Sequence, residues 1–150
     1  MNCAHTAPPT AEVNWEAARS FHGHLGPWLA LGLKIGHEAV RRLNAEPHWG
    51  LDVKAECTLE PPVSCLLDGL QLGTGATYGK RNIEATQSDS VRVRAINTES
   101  GEGLEFRLRP EAERLFDEWY HEVGEDETAF RVYAAEPSTL YEVYEIRHSG

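Results

Sequence analysis

Apolar positions along the chain follow two rhythms, and their order predicts helices, a strand, another helix and then several strands. The run NWEAARSF, with Asn14 as its N-cap, reads as a helix that breaks at His22-Gly23. Pro27 suits the first position of the next helix, where its missing N–H leaves no bond unmade. From Pro27 to Leu43 the positions Leu29, Leu33, Gly36 and Val40 share one face, with Lys34, Glu38, Arg41 and Arg42 elsewhere. Gly32 and Gly36 each weaken such a helix by about 1 kcal/mol relative to Ala. On one stripe they predict the close approach of another backbone.

Leu51 to Leu59 alternates apolar and polar residues, the pattern of a half-buried strand with Cys57 facing the core. Pro61-Pro62 ends it, and a helix runs from Pro62 or Val63 to Leu72 until Gly73 and Gly75 stop it. Strands are expected over 82–86, 90–97 and 104–108, the last two as a hairpin around Ser100–Gly103. A further helix over 111–123 follows Pro110, and a final strand covers 140–147. The C-terminal aromatics (Trp119, Tyr120, Phe130, Tyr133, Tyr141, Tyr144) read as core or interface residues. His37, His48, His121 and His148 read as surface residues, and Glu125-Asp126-Glu127 as a solvated acidic run.

Length and charge narrow the picture. A chain of 150 residues buries roughly 68–70% of its unfolded surface, enough for one core. The expectation is a flexible tail over 1–11 and one α+β domain over 12–150. A net charge of -10 and a pI near 5.1 argue against nucleic acid or an anionic membrane as the main partner. The apolar run from Leu25 to Ile35 is too short to span a bilayer. Three cysteines without a CxxC pair form no disulfide framework, and no secretory leader opens the chain, so a cytoplasmic setting is expected.

Candidate chemistry begins at FHGHLGPWLALG, where His22 and His24 stand one residue apart before the Pro27 helix. Imidazole is the commonest metal ligand and moves protons near neutral pH. Cys65 falls in the first turn of the 62–72 helix, where the helix dipole predicts a lowered thiol pKa. Asp68, three residues on, shares its face. If the two helix starts meet, His22, His24 and Cys65 form an N/N/S set suited to Zn²⁺ or another borderline metal, with a fourth position open. Two plainer readings stand beside this one: a lone Cys acting as a small hydrophobe, and histidines that merely cap a helix. GTGATYGK does not fit a phosphate loop, because Thr74 holds the first-Gly position and Arg81 follows Lys80.

Two stretches resemble a known family, the E-subunit family of formylmethanofuran dehydrogenase and its stand-alone relatives. FHGHLGPWLALGLKIG is similar to that family's FHGHxCPGLALGxRxG, and SCLLDGLQLGTGATYGKRNI to its CxxDAIQxxTGCTxGKxNL. The resemblance implies an α+β fold with a mixed sheet, of the kind shared with the catalytic domain of glyceraldehyde-3-phosphate dehydrogenase. It places His22, His24 and Cys65 at the family's metal or active-site positions, with Asp68, Thr77 and Lys80 nearby. Departures accompany it: Gly26 and Ala76 replace family cysteines, Trp28 replaces a glycine, and the C-terminal zinc ribbon of many relatives is missing. Thiol–disulfide cycling between the two motifs is therefore ruled out, while Trp28 is placed to narrow a pocket or stack on a flat ligand.

Three readings follow. One is a metal-dependent enzyme on an unidentified small molecule, the metal polarising a carbonyl or activating water, with Lys80 as an anion anchor. Another is an accessory or metal-handling protein of molybdenum or tungsten enzymes. The third makes Cys65 a nucleophile with His22 or His24 as base and Asp68 beside it. The GxxxG face and the aromatics further suggest a homodimer.

Overall fold

A computed structural model describes residues 13–148. The expected tail, and Cys3 with it, lies outside the described residues. The elements are α1 (Trp15–His22), α2 (Pro27–Leu43), β1 (Leu51–Cys57), α3 (Leu66–Thr74, entered through a 3-10 turn over Val63–Cys65), β2 (Ile83–Gln87), β3 (Arg92–Asn97), β4 (Glu102–Leu108), α4 (Ala112–Val123), α5 (Glu125–Ala134), α6 (Pro137–Leu140) and β5 (Tyr141–Arg147). The fold is α+β, with one mixed five-stranded sheet ordered β2-β1-β3-β4-β5. β1 and β2 are parallel, with α3 between them in sequence, and every other pairing is antiparallel.

Local chemistry explains the element boundaries. Asn14 Oδ1 accepts from Ala17 N at 2.9 Å and starts α1, and Gly23, at φ 105°, ends it. β3 and β4 form the expected hairpin. Its turn is tied by Asn97 Oδ1, which accepts from Glu99 N and Ser100 N, while Asn97 Nδ2 donates to Leu43 O at the end of α2. Cys57 is fully buried on β1, as the alternation requires.

α2 is the central helix. Its residues from Trp28 to Gly36 are all buried, so the one-sided amphipathic reading is corrected: α3, α5 and the strands β3 and β4 all pack against it. The glycine stripe does bring a second backbone close, and the partner, α3, contributes glycines of its own. A Cβ on Gly32 would stand 2.8 Å from Gly69 Cα, and one on Gly36 3.0 Å from Gly73 Cα. That face is therefore used within the chain rather than left free for a second copy.

Two further expectations change. Lys34, grouped above with the charged face, is buried and donates to Tyr133 O and Ala135 O at 2.6 Å each, satisfying the C-terminal carbonyls of α5. His37, read as a surface residue, is half-buried with Nδ1 2.9 Å from Tyr133 Oη, and burial lowers its pKa. The acidic run is exposed, as expected, and forms the first turn of α5, a helix the pattern reading did not include. Of the C-terminal aromatics, Tyr141 is 1% exposed while Tyr120 and Tyr144 remain largely open to solvent. No helix among the described residues is long and apolar enough to cross a membrane.

Candidate metal centre

The close crossing of α2 on α3 determines what meets at their N-terminal ends. His22 closes α1, His24 lies in the short link before Pro27, and Cys65 ends the 3-10 turn that leads into α3. Because Gly32 and Gly69 let the helix backbones touch, these starts converge. One ligand atom from each of His22, His24 and Cys65 lies within 4.8 Å of the others. The two imidazole centroids are 4.7 Å apart.

Each ring is held by a carboxylate through Nδ1. His22 Nδ1 is 2.6 Å from Asp68 Oδ2, with the imidazole only 10% exposed. His24 Nδ1 is 3.0 Å from Glu125 Oε2. That arrangement leaves Nε2 as the nitrogen available for bonding on either ring. His22 Nε2 is buried with no hydrogen-bond partner. Such an orphan is uncommon, because a buried polar atom without a partner costs about 1–3 kcal/mol.

The set fits a transition metal in chemistry and nearly in distance. Tetrahedral zinc, bonded at about 2.0–2.3 Å to N and S, holds its ligand atoms roughly 3.3–3.7 Å apart. The donor atoms lie within 4.8 Å of one another, somewhat wider than that range. Gly26 lies on the wall, where an added Cβ would meet Glu125 Oε2 at 3.6 Å and His24 Cε1 at 3.8 Å without a clash.

The thiol behaves differently from expectation. Burial raises the Cys65 pKa, and the charges of Asp68 and Glu125 raise it further. The predicted lowering is thus corrected: Cys65 ends the 3-10 turn ahead of α3 rather than lying in its first turn, and desolvation with the two carboxylates raises its pKa.

The donor atoms open onto a cleft of about 280 Å³. Its wall is mainly apolar, built by Trp28, Pro62, Phe116 and Tyr120, with Asp117 and Glu125 as its acidic members. Trp28 is 6% exposed and meets Phe116 edge-to-face at 5.1 Å, so its ring is part of the packed wall. Asp68 touches the site through His22. Thr77 and Lys80 do not line the cleft: Lys80 Nζ donates to Gly75 O at 2.7 Å and Thr77 Oγ1 at 3.0 Å, closing the loop after α3. The residues that motif spacing missed come from α4 and α5, namely Phe116, Asp117, Tyr120 and Glu125. Only the acidic start of α5, a common helix N-terminal signature, carried a signal for them.

Comparison with known proteins adds three findings. A family model described as "FmdE, Molybdenum formylmethanofuran dehydrogenase operon" matches residues 21–144. An Archaeoglobus fulgidus protein described as "Probable S-adenosyl-L-methionine-binding protein" is 36% identical over 72 residues, 44% of this chain, and the chain covers 18% of that protein's length. The crystal structure of a tungsten formylmethanofuran dehydrogenase FmdE-like protein from Syntrophus aciditrophicus superposes with a TM-score of 0.60 at 23% identity, covering 89% of this chain and 70% of that one. At that identity the superposition speaks for the fold.

Proposed function

The chain belongs to the FmdE family, and on that footing we propose that His22, His24 and Cys65 hold one divalent transition-metal ion, with zinc the best match. The orphaned Nε2 of His22 carries the reading. A buried imidazole whose other nitrogen is held 2.6 Å from a carboxylate has the arrangement of a metal-ligating histidine with its outer partner. A mixed N/N/S set favours zinc or another borderline metal over the hard cations.

Three protein ligands beside a cleft suit a reactive centre better than a closed structural one. Bound there, the metal supplies Lewis-acid polarisation of a carbonyl, or a water acidified toward neutrality. Asp68 accepts from Nδ1–H of His22 and leaves Nε2 as the nitrogen placed to ligate. Trp28, Phe116 and Pro62 form an apolar wall that limits water beside the donor atoms. The reading of Cys65 as an independent nucleophile is not adopted, because its thiol is held above the ordinary range. The Lys80 anion anchor is likewise dropped, since its ammonium closes its own loop.

Titration of the purified protein with zinc against a chromophoric chelator tests the proposal. One equivalent is expected to bind, with affinity falling by at least about tenfold in His22→Ala and in Cys65→Ser. Wild-type protein that takes up no metal would overturn it.

A further inference from the structure

The helix that begins at Glu125 is tied to the histidine-bearing segment from both ends. Arg19 of α1 pairs with Asp126 at 3.0 Å, and Lys34 of α2 holds the last carbonyls of α5. Gly124, at φ 86°, turns the chain sharply out of α4 so that Glu125 becomes the first residue of α5. Free backbone N–H groups there favour a carboxylate. The carboxylate fills the space beside Gly26, whose Cβ would stand 3.6 Å from Oε2. From that place it reaches His24 Nδ1 at 3.0 Å, across 101 residues of sequence.

We propose that Glu125 is a positioning residue for the metal centre: it accepts from Nδ1–H of His24, holds the ring in that tautomer, and so turns the Nε2 lone pair toward His22 and Cys65. A neutral imidazole free in water favours the opposite tautomer, with the proton on Nε2 and the free lone pair on Nδ1. The His24 side chain is 49% exposed, so water does not settle the choice in favour of ligation; Glu125 does, with Leu25 O a longer second acceptor at 3.4 Å. Asp68 acts in the same way on His22, which makes the donor set two carboxylate–imidazole arms and one thiol. The α4–α5 elbow thereby becomes part of the site. The inference rests on the metal reading for its purpose, while the tautomer is a property of the metal-free protein.

The test follows that division. Imidazole ¹⁵N–¹H correlation spectra of metal-free protein are recorded at about pH 8. Wild type is expected to show His24 protonated on Nδ1. Glu125→Ala is expected to move His24 toward the Nε2–H form and leave His22 unchanged, and Glu127→Gln, on the same helical turn, to change neither. Zinc affinity, read by chelator competition, is expected to fall about 10–100-fold in Glu125→Ala. Glu125→Gln, whose amide oxygen still accepts from Nδ1–H, should retain most of it. A wild-type His24 protonated on Nε2 overturns the proposal, and so does a Glu125→Ala protein whose tautomer and zinc affinity match wild type. A tautomer that shifts as expected in a protein that binds no zinc supports the clamp and overturns the metal reading alone.

Discussion

Gly69→Ala should damage both the fold and the site, because the added carbon has nowhere to go. An ideal Cβ on Gly69 would collide with Leu29 O and stand 2.8 Å from both Gly32 Cα and Leu33 N. All three neighbours are backbone atoms of α2, so no side chain can rotate away. Restoring an ordinary contact of 3.4 Å against Gly32 Cα alone requires the helices to part by at least 3.4 − 2.8 = 0.6 Å, and relieving the Leu29 O collision requires more. Overpacking of this kind costs about 1–3 kcal/mol, while replacing a helical glycine by alanine returns up to about 1 kcal/mol. The net expectation is a loss of about 1–2 kcal/mol, or roughly 2–8 °C in Tm for a domain of this size. Parting the helices also separates Cys65 from His22 and His24, so zinc affinity should fall in the same variant. Gly79→Ala, whose Cβ would meet nothing within 4 Å, serves as the control. Thermal unfolding followed by circular dichroism, with a zinc titration of each protein, provides the comparison. A Gly69→Ala protein as stable as wild type, with unchanged zinc affinity, would refute the claim that this crossing sets the site.

Other expectations follow from individual side chains. Asp68→Ala should weaken zinc binding about 10–100-fold yet speed iodoacetamide labelling of Cys65 in metal-free protein, because Asp68 both holds His22 and raises the thiol pKa; peptide mapping separates Cys65 from the other cysteines, and a fall in both quantities would contradict this pairing. In wild-type metal-free protein, labelling of Cys65 should rise with pH to a midpoint above the usual thiol value of about 8.5, and a midpoint below it would restore the nucleophile reading. Glu105 tests the sheet: burial pushes its carboxyl up, but hydrogen bonds from Arg94 and Arg107 outweigh that and hold it below the ordinary range. A folded value below the unfolded one makes its stabilisation complete above about pH 4.3 and progressively lost as pH falls through the folded value. Glu105→Gln should therefore cost about 1–3 kcal/mol at neutral pH, with the gap to wild type narrowing in acid; denaturant unfolding at several pH values measures it, and a gap that widens in acid would contradict the sign.

Much of the architecture was legible in periodicity. The alternation of Leu51 to Cys57 reads directly onto a strand buried on one side, and Gly32 with Gly36 announced a helix crossing before its partner was known. What the pattern did not supply was the partner itself. That α3 answers with Gly69 and Gly73 follows from three-dimensional packing, since helix stops and packing glycines look alike in sequence. Lys34 was misplaced for a related reason: a cation on a helix reads as solvated unless the carbonyls that will receive it are known. For the site, His22, His24, Cys65 and Asp68 were visible as motif residues, and the structure brings them together. Glu125 was not visible in that role, because an acidic triplet at the start of a helix serves solvation equally well and its contact spans 101 residues. The thiol pKa failed for an electrostatic reason, as the helix start was apparent but the desolvation and the two carboxylates that oppose it were not.

Binding of a single metal ion by two imidazole nitrogens and one thiolate has a direct spectroscopic signature in cobalt(II)-substituted protein. A thiolate ligand gives a ligand-to-metal charge-transfer band, and a four-coordinate site gives intense d–d absorption. Both features are expected at one equivalent of cobalt in wild type. Cys65→Ser should lose the charge-transfer band, and His22→Ala should bind too weakly to develop either feature. Wild-type spectra without a charge-transfer band, or a band that survives in Cys65→Ser, would contradict the assignment.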